Sequence, residues 1–174
     1  ELAEQQGPLN IGVAYTYSEP VVWYEYLRDA GTIIREKGGM NVLVTNGFIN
    51  PEPLADLLPL IDAMNIDVKA FRAPFYQDVC KGELEAVKRT VETAAGHCHV
   101  EVTTLVIPGL NDEDDEIVAL ARWLASIDPE IPLHLSRYFP RYKFELPATP
   151  VDRLQRARAI AGQYLHNVYV GNVG

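Results

Sequence analysis

Six short β-branched runs recur along the chain with amphipathic stretches between them, and this rhythm limits the possible folds more than any other feature. The runs are IGVAYT from Ile11, NVLVT from Asn41, MNIDV from Met64, VEVTTLVI from Val100, PLHL from Pro132 and NVYV from Asn167. Each unit of the rhythm has room for a strand, a helix and two short loops. Between the runs, Leu84, Val87, Val91 and Ala94 fall on one helical face, as do Ile117, Leu120, Ala121 and Leu124. Boundary signals agree: Gly38 and Gly39 close the first helix, Asp112 is placed to cap the one that starts near Glu113, and Thr149-Pro150 opens the last with Pro at its first position.

Strands joined by helical crossovers run parallel, and parallel sheets are expected to be covered on both faces, which suits near-continuous apolar runs. The 174 residues suit one domain spanning 1–174. Six strands are too few for a closed eight-stranded barrel of about 250 residues, which leaves a partial barrel or an open doubly wound sheet. Neither a G-x-G-x-x-G turn nor a P-loop is present.

Composition removes several partners. Acidic residues outnumber basic ones 24 to 15, for a formal charge of -9, so no nucleic acid is expected, because phosphate neutralisation needs clustered Lys and Arg. No stretch of about 18 apolar residues exists, so no membrane partner is expected either. Cys80 and Cys98 are too sparse for a disulfide framework and fit a reducing cytoplasm. The opening ELAEQQGPLN lacks the pattern of a signal peptide, does not begin with Met, and reads as the start of an excised piece.

In either architecture, ligands bind beyond the carboxyl ends of the parallel strands. Those positions hold Ser18 and Glu19, then Thr45 and Asn46, then Asp67 and Lys69; next come TTLVIPG, and finally His134, Ser136 and Arg137. Asp67 and Lys69 flank Val68 and so point to one side of their strand. Opposite charges there read either as an ion pair or as the two contacts of a zwitterion. Glu19, followed by Pro20, reads either as an acid at a helix start or as a ligand-binding carboxylate. His134 and Arg137 divide in the same way between core or surface roles and function. His97, His99 and His166 show no metal-ligand spacing. The acidic run NDEDDE at 111–116 lacks the glycine and terminal glutamate of a calcium loop, and is better explained as acids at a helix N-terminus.

Taken in order, YTYSEP, VTNGFINPEPL, LPLIDAMNIDVKAF, HVEVTTLVIPGLND, PLHLSRYFPRYK and VYVGNVG resemble the successive strand-end motifs of radical S-adenosylmethionine enzymes. They are most similar to the branch related to the activating enzyme of pyruvate formate-lyase, and within it to the AmmeMemoRadiSam-system enzymes. The resemblance implies a partial (β/α)6 TIM-like radical SAM barrel with a parallel sheet. It also implies S-adenosylmethionine as cofactor beside a [4Fe-4S] cluster on a C-x-x-x-C-x-x-C loop. Cleavage of the cofactor then yields a 5′-deoxyadenosyl radical for hydrogen abstraction, from a protein glycine in the activating enzymes. An electron donor such as flavodoxin or ferredoxin is implied for the parent enzyme.

Residue by residue, Tyr17, Ser18 and Glu19 match the motif that receives the methionine amino group, with Glu19 accepting from the ammonium. Lys69 would meet the cofactor carboxylate, Asn46 and the Asp67 region would border the ribose and methionine side, Ile107 would flank adenine, and Thr45 is counted with the cofactor-binding residues. Thr103, His134 and Arg137 would complete the cofactor site. Departures are the Tyr17-Ser18 pair in place of two glycines, Val44 where the activating enzymes carry aspartate, and Thr103 where they carry arginine.

The cluster triplet is also absent, since two cysteines cannot supply three thiolates. The chain is therefore read as the C-terminal portion of a barrel whose first βα unit lies upstream, with an unpaired strand near Ile11 that favours self-association. Two other readings stay open at this level: a cluster-less (β/α) binding or scaffold module, and a barrel aldolase or isomerase using Lys69 or Asp67.

Overall fold

In a computed structural model, which describes residues 10–173, all six runs are strands. They are β1 Gly12–Tyr15, β2 Met40–Thr45, β3 Ala63–Asp67, β4 His99–Val106, β5 Leu133–Arg137 and β6 Val168–Gly171. Every neighbouring pair is parallel, and the order in the sheet is β1-β2-β3-β4-β5-β6. A doubly wound sheet reverses its strand order at a switch point. Without a reversal, right-handed crossovers all fall on one side of the sheet, and the architecture is the partial barrel.

The longer helices are α1 Tyr24–Glu36, α2 Pro51–Leu57, α3 Leu84–Ala95, α4 Asp114–Ile127 and α5 Val151–Ala161. Both stripes read from the sequence face inward: α3 buries Leu84, Val87, Val91 and Ala94, and α4 buries Ile117, Leu120, Ala121 and Leu124. They meet a strand layer of Leu43, Met64, Ile66, Val68, Val102, Leu133 and Leu135, all fully buried.

One expectation fails here. The sheet is not covered on both faces, since Val44, Asn65, Asp67, Glu101, Thr103, Leu105 and His134 are half-buried or exposed while their neighbours in sequence are buried. Successive side chains point to opposite faces, and one-way winding supplies helices to only one of them. The other face is the open, concave inside of the partial barrel.

Boundaries differ in two places. Asp112 does not cap α4: its Oδ1 accepts from the Gly109 amide at 2.7 Å and its Oδ2 from Arg153 at 3.2 Å, so it closes a turn and docks α5. Pro150 occupies the N-cap position of α5 rather than its first turn. Thr149 before it donates to the Val106 carbonyl at 2.6 Å and accepts from the Tyr138 amide at 3.1 Å. Gly38 does end α1, with φ +75°. At the other edge, β1 pairs only with β2 among the described residues, and Ile11, Val22, Trp23 and Tyr26 are exposed beside it.

Candidate functional site at the carboxyl rim of the sheet

The rim is held by side chains that pin loop backbone to the strand ends. Glu19 follows β1 in extended conformation, and its carboxylate is almost fully engaged. Oε1 accepts from the Thr45 hydroxyl at 2.7 Å and the Val21 amide at 3.3 Å, while Oε2 accepts from the Asn46 amide at 2.7 Å. The helix-start reading of Glu19 is thus correct as far as Val21 goes, and the two shorter bonds show that it also ties β1 to the end of β2. A carboxylate offers about four acceptor sites, so one remains for a further donor.

The Thr45-Asn46-Gly47 turn is fixed from within. The Asn46 side-chain oxygen accepts from the Phe48 amide at 2.8 Å, and the Gly47 amide donates to the Thr45 hydroxyl at 3.2 Å. Thr90 of α3 donates to the Gly47 carbonyl at 2.7 Å. Gly47 has φ +71°, and a Cβ there would lie 2.7 Å from Ile66 Cγ2, so the turn requires glycine.

Buried hydroxyls and one amide hold the next strands in the same way. Thr104 donates to the Val68 carbonyl at 2.7 Å. Asn111, 1% exposed, accepts from the Ile107 amide at 2.6 Å and donates to the carbonyls of Lys69 at 2.6 Å and Leu105 at 2.8 Å. Glu116, buried in the first turn of α4, accepts from the Phe71 amide at 2.7 Å and from Arg72 at 2.5 Å. The acidic run therefore mostly grips neighbouring segments: Glu116 fixes the chain just after Lys69, and Asp112 and Asp114 hold Arg153 and Arg156.

Between these pinned ends lies a cleft of about 540 Å³ that takes in Asn46, Lys69, Leu105, Ile107 and an aromatic wall of Phe48, Phe75, Tyr76, Phe139 and Phe144. Lys69 Nζ sits 2.7 Å from Asp67 Oδ2, and both side chains are more than a third exposed, so the pair faces the cleft rather than the core. Of the two readings of these residues, the ion pair is present. It leaves two of the three ammonium donors of Lys69 for a ligand. Tyr76 donates no proton to this pair; its buried hydroxyl accepts from the Lys69 amide at 3.0 Å, and burial pushes its pKa well up. Cys80 ends the π-helical turn Tyr76–Cys80 on the cleft wall, where burial raises its thiol pKa and Lys69 opposes the rise. Burial also pushes Cys98 up, to about 11, and both cysteines are free thiols.

Of the expected site residues, Asn46, Lys69 and Ile107 meet in this cleft, Asp67 pairs into it, and Glu19 and Thr45 stand behind Asn46. Tyr17 and Ser18 are exposed, and Tyr17 belongs to a separate hollow of about 370 Å³ beside Trp23 and Tyr26. Thr103 and His134 lie lower on the concave face. Thr103 donates to Asn65 at 2.8 Å, and His134 stacks on Tyr169 with its Nε2 2.8 Å from Glu101. Glu101 also meets His99 at 3.2 Å; burial raises its pKa, and the bonds from the two histidines outweigh this and hold it below the usual carboxylate value. Arg137 stands at the end of β5, its Nε donating to the Thr149 carbonyl at 2.8 Å and its guanidinium 4.6 Å from the Phe139 ring centre. Sequence reading missed Asn111, Thr90, Tyr76 and the aromatic wall. Only the TNG and PGLND turns hinted at the first two, because the partners of these residues lie 42 and 43 positions away.

Among the described residues, no cluster of three or more metal-ligating side chains occurs, and the chain's two cysteines do not fit a three-thiolate iron-sulfur site. The donor set does fit an amino-acid-headed nucleoside: a carboxylate with an open acceptor site, an ammonium with open donors, and aromatic surface between the strand ends.

Comparison with protein families matches residues 2–121 to the Radical SAM superfamily. The chain is 45% identical over 166 residues to Uncharacterized protein MJ0808 of Methanocaldococcus jannaschii, covering 93% of this chain and 49% of that protein, so it spans about half the length of that relative. In fold it resembles a domain of pyruvate-formate lyase-activating enzyme from Bacteroides vulgatus, with TM-score 0.80 and 21% identity over 92% of this chain and 99% of that one. It also resembles a radical SAM methyltransferase from Sphaerobacter thermophilus, with TM-score 0.73 and 18% identity over 98% and 53% of the two chains. Streptococcus suis SuiB bound to S-adenosylmethionine has TM-score 0.73 and 10% identity over 98% and 39%. The chain belongs to the radical SAM superfamily.

Proposed function

We propose that this chain is the S-adenosylmethionine-binding part of a radical SAM enzyme of the pyruvate formate-lyase activating type, in the AmmeMemoRadiSam branch. The observation that carries the proposal is the single rim on which Glu19 and Lys69 end up, with Asn46 hydrogen-bonded to the first and sharing a cleft with the second.

In this reading the open acceptor site of Glu19 takes the methionine ammonium, and Lys69 donates to the carboxylate without leaving Asp67. Asn46 borders the ribose through its side-chain amide, and Ile107 lies against adenine. When bound, the cofactor would supply radical chemistry for hydrogen abstraction, which the activating enzymes direct at a protein glycine. The chain's own contribution is to orient: Thr45 holds Glu19, Asn111 holds the Lys69 backbone, and the aromatic wall excludes water. The two cysteines do not form the cluster site, so its thiolates come from protein outside this sequence. Two free thiols and the lack, among the described residues, of a helix able to cross a membrane fit a cytoplasmic setting.

Calorimetric titration of S-adenosylmethionine into the complete enzyme, with its cluster and with this chain as part of it, tests the reading. Glu19→Gln and Lys69→Ala should each weaken binding by about 1 to 3 kcal/mol; unchanged affinity in both variants would remove the assignment.

A further inference from the structure

The rim cleft continues past Phe139 into a second lobe of about 480 Å³, and the two share Leu105, Tyr138, Phe139 and Arg141. Among the described residues, the lining of both lobes includes Lys69, Lys81, Arg137 and Arg141 but no Asp or Glu. In a chain with 24 acids and 15 lysines and arginines, a continuous lining with four bases, whose one facing carboxylate is the Asp67 paired to Lys69, is contrary to the overall balance. Nor are these cations all neutralised by neighbours. Lys69 has Asp67, whereas Lys81, Arg137 and Arg141 make no salt bridge with any described residue. Arg137 is also held in place, by Thr149 and over the Phe139 ring, so its guanidinium is oriented before any ligand arrives.

S-adenosylmethionine does not account for this lining. The cofactor carries a sulfonium and an ammonium against one carboxylate, a net charge of +1, and Lys69 already answers its carboxylate. Of the remaining cations, Lys81 follows the turn Tyr76–Cys80, whereas Arg137 and Arg141 lie at and just after the end of β5, across the sheet from Glu19. We propose that the second lobe binds an oxyanion of the substrate, a carboxylate or a phosphate, with Arg141 and Arg137 as charge-assisted donors and Phe139 as the apolar surface beside them. A low-dielectric cleft lined by one sign of charge also concentrates ligands of the opposite sign. A glycine backbone carries no such charge, so the lining fits a small acidic substrate better than a protein glycine. This inference rests on the proposed cofactor reading, because it assigns to substrate what that cofactor leaves unused.

The test titrates the full chain with inorganic pyrophosphate and, separately, with succinate, each followed by amide chemical shifts, and measures S-adenosylmethionine affinity on the same samples. One of the two anions should bind and shift amides of Phe139, Arg141 and Asn172, and which one binds distinguishes phosphate from carboxylate chemistry. Arg141→Gln, at an exposed position, should weaken that anion roughly tenfold while leaving cofactor affinity within about twofold, and Arg137→Lys should weaken the anion in the same direction. Lys69→Ala should do the reverse, weakening the cofactor and sparing the anion. The proposal is overturned if neither anion binds the wild-type chain, if binding survives in Arg141→Gln, or if that variant loses the cofactor as much as the anion. Failure of the cofactor reading shows separately, as S-adenosylmethionine binding that is absent or indifferent to Glu19 and Lys69.

Discussion

Gly47→Ala isolates the cost of the turn that places Asn46. Gly47 has φ +71°, and an added Cβ would lie 2.7 Å from Ile66 Cγ2 and 3.1 Å from Val87 Cγ1. The left-handed backbone costs an alanine about 1 kcal/mol, and forcing a methyl into a packed core costs about 1 to 3 kcal/mol more. Ile66 and Val87 are both fully buried, which leaves them little room to yield, so the sum is about 2 to 4 kcal/mol. Gly38→Ala supplies the control, since its φ is +75° and nothing lies within 4 Å of its added Cβ; it should carry the backbone cost alone. Urea unfolding should show both midpoints lowered at unchanged slope, with Gly47→Ala lower by the packing difference. Only Gly47→Ala should also weaken S-adenosylmethionine, because it moves the Thr45 and Asn46 groups that hold Glu19. Equal destabilisation by the two substitutions would refute the packing account.

Two further outcomes follow from other parts of the fold. Because histidine bonds hold the Glu101 pKa below its ordinary value, its contribution to stability is present above the unfolded-state pKa and lost as pH falls through the lower folded one. The stability difference between wild type and Glu101→Gln, measured by denaturant unfolding, should therefore shrink as pH falls from about 5 to below about 4. At the other edge of the sheet, the side of β1 that pairs with no other described strand, with Ile11, Val22, Trp23 and Tyr26 exposed, should drive self-association of the isolated chain. Sedimentation velocity should show a concentration-dependent species larger than 19.4 kDa that Trp23→Ser and Tyr26→Ser reduce; a monomer at all concentrations would contradict this.

The strands were legible because β-branched runs and helical stripes are local patterns, and each spans only a few residues. NIDVK even reveals that Asp67 and Lys69 share a side, since strand alternation alone sets it. The open face was not legible in the same way. Parallel sheets usually read as apolar throughout, and the polar alternation of Asn65, Asp67, Glu101, Thr103 and His134 gains its meaning only from the sequential strand order. The pinning residues were hidden for a related reason. Asn111 sits inside an acidic run, and nothing local says that it reaches back to Lys69; Thr90 looks like any polar residue of α3 until its partner, the Gly47 carbonyl, is seen.

Adjacent threonines show how one-way winding separates stability from binding. Thr103 and Thr104 are neighbours in β4, yet Thr104 points under the helices and is 1% exposed, donating to the Val68 carbonyl at 2.7 Å. Thr103 points to the concave face and meets Asn65 at 2.8 Å, where water can replace either partner. Replacing the first hydroxyl leaves a buried carbonyl without its donor, which costs about 1 to 3 kcal/mol; replacing the second exchanges a part-exposed bond for water and costs about 0.5 kcal/mol or less. Thr104→Val should thus lower the unfolding midpoint, and Thr103→Val should hardly move it. Ligand binding should divide the other way, because the helix-covered face only supports the rim while the concave face is open to whatever enters the barrel. If Thr103→Val destabilised the chain as much as Thr104→Val, the concave face would be part of the core, and the case for a site there would lose its physical basis.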